Sequence, residues 1–98
     1  MFTTESSIVA TTGASQQLFG GSDTTPVDPD RRIVHIVHTG GGAILIRSNQ
    51  AATTSQYNHV LRPRRSVFWP CRANETIHVI AADSSNPGTF RATQVRGV

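Results

Sequence analysis

Glycine and proline interrupt this chain at short intervals, at Gly13, Gly20-Gly21, Pro26, Pro29, Gly40-Gly41-Gly42, Pro63, Pro70, Pro87-Gly88 and Gly97. Between the breaks lie short runs of Val, Ile, Thr and aromatic residues, which suit a pleated, half-buried surface. Such punctuation predicts several short strands and no long helix.

Ile33 to His38 (IVHIVH) is the strongest strand signal. Val34, Ile36 and His38 share one face, and Ile33, His35 and Val37 the other. Apolar residues on both faces predict a strand covered on both sides. The Gly40-Gly41-Gly42 run and the apolar return Ala43 to Arg47 predict a hairpin. Further strands are expected at Ser7 to Thr12, at Val60 to Arg65 leading into Ser66 to Trp69, at Thr76 to Ala82, and at Thr89 to Val95. Pro70 is expected to stop the strand before it. Gln17, Leu18 and Phe19 read as an apolar anchor. Gly20 to Asp30, Ser48 to Asn58 and Asp83 to Gly88 read as loops and a turn.

About six to eight short strands follow. A lone sheet of this size would not stabilise itself, so the fold expected is all-β: a small antiparallel β-sandwich or jelly-roll-like barrel. The 98 residues form one domain, 1–98.

All nine basic residues are Arg. The net charge is +3 and the pI about 10.5, but no block of five like charges exists, so direct nucleic-acid binding is not expected. Arginine is enriched at protein interfaces, where its planar fork of donors matches carboxylates. Arg31, Arg32, Arg62, Arg64 and Arg65 are therefore the candidate interface residues.

The chemistry of catalysis is not marked. Triad residue types are present without a context that joins them. The glycine run precedes a strand rather than the helix a phosphate loop needs. His35 and His38 point to opposite faces of one strand and cannot share a metal, and the six carboxylates fall mostly in turns or near strand ends. No enzyme, cofactor or metal is expected. Cys71 is the one cysteine, so no internal disulfide forms. No apolar run reaches the ~18 residues of a membrane span. No secretory leader precedes the Asn74-Glu75-Thr76 sequon, which is read as chance, and folding in a cytoplasm is expected. Phe68 and Trp69 face opposite ways: Trp69 is assigned to the core, and Phe68 could meet a sugar or a protein.

The order of segments resembles the small β-sandwich virion proteins of tailed bacteriophages. The matching stretches are Gln17-Leu18, Arg31-Arg32, Val34 to Gly40, Ala43 to Ile46, Ala51 to Thr54, Leu61 to Ser66, Ile77 to Ala82 and Phe90 to Val95. They cover nearly the whole chain. Two positions depart from the pattern: His38 stands where Asn is usual, and Arg64 where Gly is usual in a Leu-x-Pro-Gly turn. An arginine there argues against a positive-φ turn. The resemblance implies a protein that decorates or cements the capsid shell through protein contacts, made in the host bacterial cytoplasm and located on the capsid surface. Its partners would be the major capsid protein or other virion proteins, and it would self-associate, as a trimer in preference. A tail- or fibre-associated module that binds a host-surface glycan, or a head–tail component, is the alternative.

Overall fold

The computed structural model describes residues 3–10, 12–18 and 31–96, with the side chains of 12–18 and 31–95. Phe19 and the expected Gly20 to Asp30 loop lie outside the described residues. Eight strands and no helix are found among those described: β1 (Thr3–Ala10), β2 (Gln16–Gln17), β3 (Arg32–Gly41), β4 (Ile44–Ser48), β5 (His59–Leu61), β6 (Ser66–Cys71), β7 (Ile77–Ala81) and β8 (Gly88–Arg96).

They form two four-stranded antiparallel sheets, with orders β1-β8-β3-β6 and β2-β7-β4-β5. The first strand pairs with the last, the second with the seventh, the third with the sixth and the fourth with the fifth. That is the winding of a jelly roll, a long ribbon folded on itself and rolled into two sheets. The expected β-sandwich is borne out, and its sheets stay open rather than closing into a barrel.

The core lies between the sheets. Val34, Ile36, Phe90 and Ala92 enter from one, and Ile44, Ile46, Leu61, Ile77 and Val79 from the other, with Leu18 anchored beside them. Each large aliphatic or aromatic side chain so buried stabilises the fold by roughly 1.5–3 kcal/mol relative to exposure. A second, smaller cluster sits on the outer face of the β2-β7-β4-β5 sheet. There Ala52 packs on Leu45 and Ile80. The Ser48 to Asn58 loop supplies it, held down by Arg47 on the Ala51 carbonyl and Gln56, and by the Ala52 amide on Ser15 Oγ.

Four expectations about local structure are corrected. The hairpin across Gly40-Gly41-Gly42 does not form, because β3 and β4 belong to different sheets. The glycines make a corner between sheets, where Gly41 has φ +85° and a Cβ would strike the Pro87 carbonyl. His38, 3% exposed, ties this corner, its Nδ1 accepting from the Gly40 amide and its Nε2 donating to the Gly42 carbonyl at 2.6 Å. Pro70 does not stop its strand but sits within β6 opposite Ile33. An edge strand tolerates proline where the missing N–H faces outward.

The third correction concerns Arg64, which has φ +65°. The Arg65 amide bonds the Arg62 carbonyl at 3.2 Å across Pro63-Arg64. That is a type II turn with proline at its first central position and arginine where glycine is normally needed. The outer face of β3 is also less covered than its sequence suggests. Ile33, His35 and Val37 are only half-buried.

Candidate protein interface

The β3–β6 ladder organises the surface that holds the candidate arginines. Its register pairs Arg32 with Cys71, Val34 with Trp69, His35 with Phe68 and Val37 with Ser66. Arg65 follows in line, its carbonyl accepting the His38 amide at 2.9 Å. Antiparallel pairs alternate between mutually bonded and non-bonded. The His38–Arg65 bond therefore makes Ile36/Val67, Val34/Trp69 and Arg32/Cys71 the bonded pairs. Ser66, Phe68 and Pro70 belong to the close, non-bonded pairs, and their backbone groups point away from β3. The His35 and Phe68 rings, in one such pair, stack at 4.1 Å with planes 6° apart. Phe68 remains 68% exposed.

The five candidate arginines do not form one cluster. Arg62, Arg64 and Arg65 are exposed on the turn before β6. Arg31 is exposed at the other end of the ladder, roughly 20 Å away at the usual strand rise. Arg72, which sequence reasoning passed over, is exposed just after Cys71 at Arg31's end. These two residues line an open cavity of about 550 Å³ with Arg32, Ile33, Pro70 and Cys71. The register alone brings Arg72 there, and no local motif announces it.

Arg32 is built into the interior. It is 5% exposed, and its guanidinium donates to the Glu75 carbonyl. Glu75 organises the rest of this end. Its carboxylate accepts from Trp69 Nε1 at 3.0 Å and from the Arg72 amide at 3.3 Å. The turn that carries it runs through Asn74 with φ +65°. Trp69 packs on the core, as its alternation predicts, and meets His59 edge-on at 6.4 Å. Cys71 is 4% exposed, and burial pushes its thiol up to about 11 despite the nearby Arg32 charge.

No group of three or more potential metal ligands occurs among the described residues. What the site offers is a half-apolar sheet face with an aromatic at its centre, a strand edge that no described strand pairs with, and arginines at both ends. Such a surface can bind protein or an acidic polymer.

The chain is therefore of the jelly-roll class. No family model matches it, and no curated protein matches it in sequence. Among solved structures, it is similar to a chain from the work described as "Bacillus endospore appendages form a novel family of disulfide-linked pili". The likeness has a TM-score of 0.56 at 12% identity, and covers 98% of this chain and 86% of that one. At that identity it bears on the fold alone.

Proposed function

We propose that this protein is a structural subunit of a many-copy assembly, contributing protein contacts and no chemistry. The observation that carries this reading is the β3–β6 margin: a strand edge that no described strand pairs with, the exposed Phe68 stacked on His35, and arginines at both ends. Exposed strand edges are normally blunted or covered, and a long open one is a pairing surface. Within that class we favour decoration or cementing of a tailed-phage capsid shell, following the segment order of the sequence. The exposed arginines would face carboxylates on the major capsid protein.

A second form, a subunit of a surface filament, would be compatible with the fold shared with a chain from the work on endospore pili. A filament of this chain would differ in one respect from disulfide-linked pili. Cys71, its sole cysteine, is buried with a protonated thiol, and would not cross-link copies without local opening.

Cryo-electron microscopy of the particles with which the protein co-purifies, alongside the purified protein alone, tests both forms. Density repeating over a capsid lattice supports decoration, and regular filaments support the appendage form. Density at a tail or vertex would move the reading to host binding. A protein that stays monomeric and joins no particle overturns the proposal. Charge reversal of Arg31, Arg62, Arg64, Arg65 and Arg72 together is expected to weaken binding to undecorated shells by about tenfold or more, chiefly through slower association. Undiminished binding would remove the arginines from the interface.

A further inference from the structure

We infer that the edge of β6, which no described strand covers, receives the β1 edge of a second copy, so that the β1-β8-β3-β6 sheet continues from molecule to molecule. This inference rests on the reading as a many-copy subunit and names the contact that builds it.

Three observations converge on it. The first is edge length. The other sheet ends in strands of two and three residues, β2 and β5, which are too short to template a partner. The β1-β8-β3-β6 sheet ends in strands of eight and six residues. On β6 the outward groups are the N–H and C=O of Ser66 and Phe68 and the C=O of Pro70, as the alternation of the β3–β6 ladder requires.

The second observation is direction. Four antiparallel strands make the two edges run opposite ways, so β6 is antiparallel to β1. A copy moved sideways along the sheet therefore presents β1 to β6 as one more antiparallel neighbour, with no reversal. Antiparallel pairing is the arrangement already used throughout the molecule.

The third is charge. The first thirty residues carry four carboxylates and no basic residue, while the remainder carries all nine arginines and two carboxylates. β1 bears Glu5 as its one charged residue. β6 is bracketed by Arg62, Arg64 and Arg65 on one side and Arg72 on the other. Two β6 edges set antiparallel would bring arginine against arginine, which costs free energy. A β6 edge set against β1, whose one charged residue is Glu5, avoids that repulsion and offers the arginines a carboxylate. The contact is thus heterologous. It closes into a ring, such as a trimer, if the rotation between copies allows, and grows into a filament if not.

Amide hydrogen exchange on the purified full chain, read by NMR across a concentration series, tests this inference. At low concentration the Ser66 and Phe68 amides are expected to exchange fast, while those of Val67 and Trp69 stay protected by β3. As copies associate, Ser66, Phe68 and alternate amides of β1 are expected to gain at least tenfold protection together. Two variants separate backbone from side chain. Phe68→Ala keeps the N–H and is expected to associate, whereas Phe68→Pro removes it and is expected to abolish association. The remaining amide pattern reports whether each variant is folded. Ser66→Gly/Phe68→Ala, which keeps both donors, is a further folded control.

Loss of association in Phe68→Ala as well would overturn strand addition in favour of a side-chain contact. Protection of Ser66 and Phe68 without β1, or only when a capsid shell is added, would replace the second copy with another partner and overturn the inference while leaving the subunit reading intact. Self-association through these amides in a protein that joins no particle and forms no regular assembly would do the opposite.

Discussion

Arg32 and Arg64 show how far two residues of one type can diverge. Arg32 faces inward, and its donation to the Glu75 carbonyl joins β3 to the turn after β6. Arg32→Ala leaves that buried acceptor without this donor and is expected to cost about 2–3 kcal/mol, measured by urea denaturation. Arg64 stands exposed in a left-handed conformation that disfavours side chains. Arg64→Gly is expected to raise stability by roughly 0.5–1 kcal/mol. If Arg64 contacts a partner, the same change weakens binding, so the two measurements move in opposite directions. Cys71 gives a pH signature. Its thiol titrates near 11 in the folded protein against an ordinary 9.0, so the folded state holds its proton longer than the unfolded chain. Its contribution is fully present below pH 9 and is lost as pH rises toward 11. Comparing the pH dependence of unfolding with that of Cys71→Ala isolates it, and identical slopes would show that the thiol is not held in its neutral form.

At the scale of elements, the strands were legible and their partners were not. IVHIVH, TIHVIA and the alternating last strand announced themselves by period and composition. Pairing in a jelly roll joins residues far apart in sequence, and local pattern carries no record of it. Gly40-Gly41-Gly42 illustrates the difference. A glycine run between apolar strands reads the same for a hairpin as for a corner between sheets. The corner is decided by how closely the Pro87-Gly88 backbone passes it. A Cβ at Gly88 would strike the Gly42 carbonyl and come within 2.9 Å of His38 Nε2. Gly88→Ala is accordingly expected to destabilise by 2 kcal/mol or more in thermal or urea unfolding, through overpacking at a point with backbone on both sides. The candidate site was half legible for a similar reason. Composition marked the arginines, but only the β3–β6 register divides them into two ends, draws Arg32 inward and adds Arg72.

For the whole molecule, the separation of charge along the chain bears on the proposed contact between copies. An acidic N-terminal third and a basic remainder favour head-to-tail contact over like-with-like contact. Self-association is expected to weaken as salt rises from 0.05 to about 0.5 M, because exposed charges more than a Debye length apart are screened. Sedimentation velocity across that range checks it, and association that strengthens with salt would point to an apolar contact instead.

The position of β8 also dictates an order of events during synthesis. β8 is the last of the eight strands to leave the ribosome, yet it lies between β1 and β3 at the centre of its sheet. The β4, β5 and β7 ladder can close while β8 is still being made. Until β8 arrives, one side of IVHIVH has no partner and β1 has nothing to pair with. The nascent chain thus passes through an interval in which an apolar strand at the heart of the fold is open to any passing edge. The proposed contact edge at β6 belongs to a finished sheet only once β8 has been made and has joined β1 to β3.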